Sequence, residues 1–390
     1  MREKIIEASF QLKPDSSNED KFREACWAIS QFLFRSNTIE SGFRKMFAVY
    51  ASLETGTRRA LLEAVYGVYP TEFREEINKL LQKESDPRLF AMQAVYLYRI
   101  DSSIRQKEAL LRLRSQLFPD HAVNLILAEL ENYFEKQAAF MTKPPPDLIS
   151  LFLNQKKLGV KIVYSFQRWN RDYPGMAIVQ NADGSFVKNA DGTVASFQQL
   201  ARSASNLPYF ITNGSTPQGI YSIQGTAVSH NNFIGPTPNL QLIMPNETDS
   251  LYWHTVYDSS KTELDNYLQL LPKNWKDYEP MREVFMAGKI GRTEIIAHGS
   301  TIDPAYFKGK PFYPLTPTMG CLCAKELWDI YSGKFLESHQ FGLANSFLAT
   351  PDNKGYLLVI NLDNQPKAVE KEELKKIVEA FEKTNYASIR

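Results

Sequence analysis

Apolar residues recur three or four positions apart through the first third of the chain. This spacing predicts amphipathic helices, one after another, from about residue 18 to about residue 140. The predicted helices begin near Thr57, Thr71, Asp86, Ser103 and His121. Asp86 marks the clearest start, because this capping carboxylate is followed by a proline at the first helical position, where a missing N–H costs nothing. We therefore predict an all-α N-terminal region.

The predicted helices come in pairs joined by short turns with Pro, Asp or Gly, and the pairs recur roughly every thirty residues. The helix that opens with Asp86-Pro87-Arg88 resembles the start of a HEAT-type repeat, in which helix pairs stack side by side. An irregular helical bundle is the alternative. Cys26 lies among apolar helix residues and His121 lies near a helix start, so we expect both to be structural.

Three consecutive prolines within residues 142–148 mark the predicted domain boundary, because proline cannot continue a helix and favours an extended connector. Beyond it, strands are predicted at residues 160–167, 176–180, 219–224, 240–244, 251–257, 293–298 and 355–361. Helical spacing returns at residues 262–271, 279–287, 324–332 and 371–383. The predicted fold class is therefore α+β with several domains. Its parts are a helical domain (1–141), a proline linker (142–148), a mostly-β sandwich or barrel with inserted helices (149–365) and a C-terminal helix (366–390).

The sequence Asn-Ala-Asp-Gly occurs twice, at residues 181–184 and 189–192. Asp-Gly between short strands predicts tight hairpin turns, since glycine adopts the positive φ that such turns need. The Asp and Asn oxygens could also bind calcium, but the ligand spacing and closing glutamate of an EF-hand are missing. We therefore interpret the repeat as two hairpin turns.

Composition argues against several classes of protein. The 390 residues carry a net charge of +1, which provides no overall attraction to nucleic acid, and no apolar run is long enough to span a bilayer. Residues 1–7 lack the apolar segment of a secretory signal, so the protein is either cytoplasmic or its leader was removed. Three cysteines do not make a disulfide framework. Cys321 and Cys323 without a second nearby ligand pair make a poor zinc site, so we expect no metal and no cofactor.

Candidate chemistry is concentrated in two short segments, His298-Gly299-Ser300 and Thr318-Met319-Gly320-Cys321-Leu322. If the fold brings His298 and Cys321 together, the imidazole can take the thiol proton and the thiolate becomes a strong nucleophile. Gly320 leaves room for backbone N–H groups to approach a developing oxyanion. The two segments therefore predict a cysteine acyl-transfer site.

These segments resemble those of the L,D-transpeptidase catalytic domain family (YkuD-type), which carries His-Gly and then Ser/Thr-x-Gly-Cys followed by an aliphatic residue. Upstream, Thr216-Pro217-Gln218-Gly219-Ile220-Tyr221 resembles the family's Thr-Pro-x-Gly-x-Phe/Tyr segment at the start of a strand. The resemblance covers residues 150–365 and implies a YkuD-like fold for the mostly-β domain. The helical domain has no counterpart in it.

The resemblance also implies roles for the matching residues. Cys321 is the implied nucleophile, His298 is its base, and the Gly299 carbonyl orients the imidazole. Backbone N–H groups near Gly320 and Cys321, in the loop that begins at Thr318, are the implied oxyanion hole. The implied reaction is acyl transfer on peptidoglycan stem peptides, in which the thiolate attacks the L-centre carbonyl of the diamino acid and D-alanine leaves. An amine acceptor makes this an L,D-transpeptidase, and water makes it an L,D-carboxypeptidase.

Two positions depart from the family pattern. Met319 stands where histidine is common, and Cys323 stands where an arginine or asparagine holds a substrate carboxylate or braces the loop. The nearest basic residues that could take over this task are Arg292, Lys308 and Lys310. For Cys323 we expect a packing role, with a redox partnership or a strained disulfide with Cys321 as the alternative.

Further candidate substrate-binding residues are Ser300, His254, Tyr252 and Arg292. The implied substrate is bacterial cell-wall peptidoglycan, the implied location is the periplasm or cell envelope, and the helical domain is expected to bind a protein partner or the glycan network. Two alternatives stay open. One is a cysteine amidase or acyltransferase with another substrate, and the other is a non-catalytic module that binds peptidoglycan or protein.

Overall fold

The computed structural model describes residues 2–247, 249–255, 257–329 and 331–387. The chain divides into two compact units. The first comprises Met1–Gln137 together with Ser203–Ser215, and the second comprises Ala138–Arg202 together with Thr216–Arg390. The first unit is helical and the second contains a β-barrel with helices, so the architecture is α+β with more than one domain.

The first unit is all-α, as the apolar spacing predicts. Its helices are α1 (Arg2–Ser9), α2 (Glu19–Phe32), α3 (Asn37–Ala48), α4 (Thr55–Val68), α5 (Arg74–Leu81), α6 (Pro87–Ile100), α7 (Ile104–Leu117) and most of α8 (Leu125–Met141). The predicted cap of α6 is confirmed, since the Asp86 carboxylate accepts hydrogen bonds from the N–H groups of Arg88 and Leu89 at 2.8 and 3.1 Å. Ser103 caps α7 through a 3.2 Å hydrogen bond from the Gln106 N–H. The starts predicted at Thr57, Thr71 and His121 are displaced by a few residues from the observed ones.

A segment far away in sequence completes the core of the first unit. Within Ser203–Ser215, the side chains of Leu207, Phe210 and Ile211 are fully buried. The Asn213 amide donates to the carboxylate of Glu63 on α4 over 3.2 Å. In the observed division the first unit's main stretch ends at Gln137, a few residues before the predicted linker at 142–148, and a segment between two strands of the second unit also belongs to the first. Local patterning cannot detect this, since the segment has no periodicity of its own.

The second unit is built on a closed barrel. The strands are β1 (Lys161–Arg168), β2 (Gly175–Gln180), β3 (Phe197–Leu200), β4 (Gly219–Ala227), β5 (Asn239–Ile243), β6 (Ala297–His298), β7 (Leu322–Ala324), β8 (Glu326–Trp328), β9 (Phe335–Ser338) and β10 (Gly355–Asp363). The barrel order is β1-β10-β4-β5-β6-β7-β3-β2, and β8 and β9 form a separate two-stranded sheet. The pairs β1–β10 and β6–β7 are parallel and the other barrel pairs are antiparallel.

Helices cover parts of the barrel. They are α9 (Leu148–Leu158), α10 (Asp249–Tyr252), α11 (Glu263–Gln269), α12 (Lys273–Lys276), α13 (Glu283–Ile290), α14 (His339–Leu348) and α15 (Lys371–Ala387). Short 3-10 helices lie at Tyr50–Ser52 in the first unit and at Glu279–Arg282 and Pro304–Phe307 in the second. Phe152 of α9 and Phe381 of α15 stack edge to face, 5.6 Å between ring centroids, within the barrel's hydrophobic core. The predicted C-terminal helix is confirmed from Lys371 onward, and it packs as part of the second unit.

Two predicted elements are wrong. The strand predicted at residues 251–257 is the end of α10 followed by bends through Thr255, and Val256 lies outside the described residues. The helix predicted at residues 324–332 is instead the end of β7 and the strand β8, and Ile330 lies outside the described residues. Pairing of Glu326 with Ser338 and of Leu327 with Glu337 in the adjacent strand overrides the local apolar spacing. The strand predicted at residues 293–298 is reduced to Ala297–His298.

Both Asn-Ala-Asp-Gly repeats are tight turns, as predicted. Gly184 and Gly192 have φ values of +90° and +81°. In each turn the aspartate accepts a 2.9 Å hydrogen bond from the backbone N–H two residues on, at Ser185 and Thr193. Among the residues that the structure describes, no helix is long and apolar enough to cross a membrane.

Candidate active site

Two neighbouring strands bring the candidate segments together. β6 and β7 run parallel, with His298 opposite Cys323. Cys321 comes immediately before β7, so it stands two register positions from His298 across this pair. The Leu322 N–H donates to the Ile296 carbonyl over 3.0 Å, which maintains the pairing up to the start of β7. The two candidate segments, distant in sequence, therefore lie on neighbouring strands of the barrel.

Two threonine hydroxyl groups hold the loop before Cys321. Thr318 Oγ1 accepts a 3.1 Å hydrogen bond from the Gly320 N–H and donates to the Cys321 carbonyl over 2.8 Å. Thr216 Oγ1 donates to the Gly320 carbonyl over 2.8 Å. The segment that precedes β4 thus contacts the candidate nucleophile loop directly. All three segments of the sequence motif meet at this point.

Gly320 has a φ of +117°, a conformation that disfavours residues with a Cβ. Its N–H is bonded to Thr318 Oγ1 in this conformation, and the oxyanion hole near Gly320 and Cys321 stays a prediction. The Cys321 N–H donates no hydrogen bond to any residue that the structure describes. The same holds for the Met319 N–H, so two backbone donors of this loop have no partner among the described residues. Met319 is partly buried.

The Cys321 thiol is partly exposed and lies against the backbone of the preceding segment. Sγ donates to the Glu294 carbonyl and accepts from the Ile296 N–H, each over 3.5 Å. Burial of Sγ raises the pKa of Cys321, whereas the Ile296 N–H and the guanidinium of Arg292 lower it. The thiol is thus protonated at neutral pH until a base takes its proton.

The His298 imidazole is buried and has a defined tautomer. Nδ1 bonds to the Gly299 carbonyl, which can only accept, so Nδ1 carries the hydrogen and Nε2 is the basic nitrogen. Burial lowers the pKa of His298 to about 4, against a smaller opposing effect of the Gly299 carbonyl. The imidazole is therefore neutral at pH 7. Among the described residues Nε2 has no hydrogen-bond partner, and the Cys321 thiol is not bonded to it in this conformation.

Gly299 is required for a reason that the sequence did not indicate. A Cβ atom built on Gly299 would overlap the carboxyl group of Glu326, with Oε1 at 2.8 Å and Cδ and Oε2 nearer still. Burial raises the pKa of Glu326, partly offset by the Thr237 hydroxyl. The turn after His298 is therefore packed directly against a buried carboxyl group.

Three of the candidate substrate-binding residues lie elsewhere or are already engaged. Ser300 is buried, donates to the Phe233 carbonyl over 3.3 Å and accepts from the Ile302 N–H over 3.1 Å. Tyr252 is a core residue, 1 % exposed, whose hydroxyl donates to the Ile220 carbonyl over 2.9 Å. Both hydroxyl groups are therefore bonded within the fold.

His254 is bonded to the Ser222 hydroxyl of β4 over 2.7 Å, and its ring lies 5.0 Å from that of Tyr356. It lines a separate cavity of about 400 Å³ together with Lys157 and Gln269. Burial lowers the pKa of His254. Its partners are on β4 and β10 and do not include the candidate catalytic pair, so the prediction that it binds the same substrate is not supported by its contacts.

Among the residues proposed for the missing arginine, only Arg292 is at the site. Arg292 is buried and close enough to Cys321 that each affects the pKa of the other. Burial lowers the pKa of Arg292 to about 10, so it stays charged at neutral pH. Lys308 and Lys310 are exposed. All three cysteines are free thiols, and Cys323 is fully buried, which agrees with a packing role.

Sequence reasoning missed two residues that shape the site. Glu326 follows the nucleophile at a position where the sequence predicted a helix, so no signal connected it with Gly299. Arg171 is buried, donates to the Thr216 carbonyl over 3.0 Å and also binds the Asn361 side chain. A buried arginine cannot be recognised from sequence, because its neighbours come from other strands.

Among the described residues, no group of three or more His, Cys, Asp and Glu side chains could hold a metal ion. Comparisons of the chain with models of known protein families, with curated proteins and with solved structures found no match.

Proposed function

We propose that the second unit is a cysteine acyl-transfer enzyme in which Cys321 is the nucleophile and His298 is its base. The observation that carries this proposal is the parallel pairing of β6 and β7, which puts His298 two register positions from Cys321. On this proposal the Cys321 side chain can turn towards His298, since residues two register positions apart across paired strands are diagonal neighbours. The neutral His298 with a basic Nε2 is in the state that a base requires.

The reaction begins with a rotation of the Cys321 side chain from the Glu294 carbonyl towards His298. The S–H bond breaks, its proton moves to Nε2, and the thiolate attacks the substrate carbonyl carbon. The Cys321 N–H stabilises the oxyanion of the tetrahedral intermediate. The imidazolium then returns the proton to the leaving amine, and a thioester remains on Cys321. An amine or water, deprotonated by His298, releases the acyl group.

The proposed substrate is the peptidoglycan stem peptide, with release of D-alanine. Support comes from the contacts of the three motif segments. The Thr216 hydroxyl joins the first to the Cys321 loop, and the pairing of β6 with β7 joins His298 to the strand that follows Cys321. On this proposal the barrel is a YkuD-like domain of a bacterial L,D-transpeptidase or L,D-carboxypeptidase that acts in the cell envelope. The helical unit then binds a protein partner or the glycan network.

A second candidate function keeps the chemistry and changes the substrate. The observation that favours it is that Arg292, which is 6 % exposed, is too buried to hold a substrate carboxylate in place of the missing arginine. An amidase or acyltransferase that acts on an uncharged amide or thioester does not need that contact. A non-catalytic binding module is the remaining alternative.

Purified protein incubated with tetrapeptide muropeptides, with products followed by mass spectrometry, tests the proposal. We expect D-alanine release and a mass adduct on Cys321 in wild type, and neither in Cys321→Ala. Cys323→Ala is the matched control. The Cys323 thiol is buried, so we expect this substitution to leave turnover largely intact. Unchanged turnover in Cys321→Ala would overturn the cysteine mechanism. Acylation of Cys321 by a carbapenem without muropeptide turnover would favour the second candidate function, and intact sacculi would then be screened for other cleaved amides.

A further inference from the structure

We propose that Glu326 is a positioning residue for this site and acts on His298 through Gly299. The inference rests on the proposed function, since it assigns Glu326 a part in making His298 the base of Cys321. Glu326 is the first residue of β8 and is 4 % exposed. Glu326 lies outside the three motif segments. Among the described residues, the hydrogen bonds of the Cys321 thiol do not involve it.

The carboxyl group of Glu326 lies directly on the turn that orients the imidazole. It occupies the volume where a side chain at position 299 would begin, with Oε1 2.8 Å from the place of a Cβ. The carbonyl of this same Gly299 accepts the hydrogen bond from His298 Nδ1. Any swing of the Gly299 peptide towards β8 is therefore blocked by the Glu326 carboxyl group.

Polar groups from several segments hold this carboxyl group in place. The Thr237 hydroxyl donates to Oε1, and the side chains of Ser338 and Trp328 and the Ser300 N–H are near enough to lower the pKa of Glu326, which burial raises. Oε2 is buried and accepts no hydrogen bond of good geometry from the described residues. A buried carboxyl group with one oxygen unsatisfied is unfavourable for folding, and such groups in native proteins call for an explanation.

Proton transfer from Cys321 to His298 explains why a carboxyl group is buried at this place. When Nε2 takes the proton, a positive charge forms on an imidazole whose buried site lowers its pKa to about 4. We infer that Glu326, when ionised on the far side of the Gly299 peptide, offsets this charge, and that the fixed Gly299 carbonyl keeps the Nδ1 hydrogen bond while the charge exists. Glu326 thus takes the place of the third member of a catalytic triad, one peptide group removed.

The test compares Glu326→Gln with Glu337→Gln in the full-length protein. Glutamine keeps the shape of Glu326 and removes its charge, and Glu337 is a carboxylate of the same two-stranded sheet that pairs with Lys325 over 2.8 Å. We expect Glu326→Gln to lower kcat for the muropeptide about tenfold, a part of what a positioned general base contributes, with KM unchanged. The rate of Cys321 alkylation by iodoacetamide at pH 7 should fall in parallel. Equal kcat and alkylation rates in the two variants would overturn the inference.

His298→Gln makes the two proposals distinguishable. If His298→Gln alkylates as fast as wild type and wild type does not turn over muropeptides, the proposed function fails. If His298→Gln slows both reactions and Glu326→Gln behaves like Glu337→Gln, only the role of Glu326 fails.

A second pair of variants covers the case in which Glu326→Gln does not fold. Gly299→Ala should be strongly destabilised by overlap with the Glu326 carboxyl group. Gly299→Ala combined with Glu326→Ala should recover the melting temperature but not kcat. If the double variant is no more stable than Gly299→Ala, or if it has wild-type kcat, the inference is overturned.

Discussion

Thr216 donates a 2.8 Å hydrogen bond to the carbonyl of Gly320, a residue 104 positions further along the chain. This bond joins the segment that opens β4 to the loop that carries Cys321. The carbonyl of Thr216 is held in turn by the buried Arg171 over 3.0 Å. The position of the nucleophile loop therefore depends on strands that lie well away from it in sequence.

The Thr216 hydroxyl should matter more for the reaction than for the fold. Thr216→Val removes the hydrogen bond to Gly320 with little change in volume. We expect a loss of about 1 kcal/mol in the free energy of unfolding, typical of one buried hydrogen bond. Cys321 alkylation and muropeptide turnover should fall about tenfold, because misplacing a reacting group by a fraction of an ångström is costly. Thr216→Ser keeps the donor and should stay near wild type in urea unfolding and in both rates; similar losses in Ser and Val variants would contradict the role of the hydroxyl.

Arg292 should control how readily the thiol ionises. Its charge lowers the pKa of Cys321 against the dominant raising effect of burial. In Arg292→Met we expect the pKa of Cys321 to rise and iodoacetamide alkylation at pH 7 to slow, since a smaller fraction of the thiol is ionised. Arg292→Lys should lie between, and Lys289→Met, at an exposed position on α13, is the control. The pH profile of alkylation measures this, and an unshifted profile in Arg292→Met would refute it.

His298 should make the protein less stable in mild acid. The pKa of its imidazole falls from 6.5 to about 4 through burial, so between these values the unfolded chain binds a proton that the folded chain does not. The stability that comes from the neutral imidazole is present above pH 6.5 and is lost as the pH falls towards 4. From this group we expect a decrease of about 2 kcal/mol in unfolding free energy between pH 7 and pH 5.

Urea unfolding of wild type and His298→Gln at both pH values measures this contribution. Between pH 7 and pH 5, His298→Gln should lose about 2 kcal/mol less unfolding free energy than wild type. The same pH dependence in both proteins would show that the buried imidazole is protonated in the folded state.

Glu63 should have the opposite effect in the helical unit. Burial raises the pKa of Glu63 to about 7, although the Asn213 amide, donating over 3.2 Å, lowers it. The folded state therefore keeps a proton that the unfolded state releases above pH 4.5. This contribution to stability is complete below pH 4.5 and is lost as the pH rises through 7. Glu63→Gln should be more stable than wild type at pH 8, by up to about 3 kcal/mol.

Thermal unfolding at pH 5 and pH 8 checks this expectation on the full-length chain. Glu24→Gln, at an exposed position on α2, is the control and should change neither value. A lower melting temperature for Glu63→Gln at pH 8 would mean that the carboxylate is stabilised by its surroundings and that the sign is reversed.

Several elements could be predicted because their cause is local. The cap at Asp86, the turns at Gly184 and Gly192, and the apolar strands β1 and β10 each depend on residues that are adjacent in sequence. β8 could not be predicted, because its pairing with β9 competes with an apolar spacing that fits a helix equally well. The contacts of buried candidates such as Tyr252 and Ser300 could not be predicted for a related reason. Their type suggested chemistry, and only the packed structure reveals that their polar atoms are already bonded.

From the sequence alone follow the helical first region and the β-rich second region, because residue type and short-range spacing determine them. The motif segments and their resemblance to a known family named Cys321 as candidate nucleophile and His298 as its base. The tertiary structure decided the rest. Residues 203–215 belong to the helical unit. The Gly320 N–H is bonded within its own loop, whereas the Cys321 N–H has no partner among the described residues. The carboxyl group of Glu326 packs against Gly299. These relationships depend on which segments the barrel makes neighbours, and long-range packing of that kind has no counterpart in the local pattern of the chain.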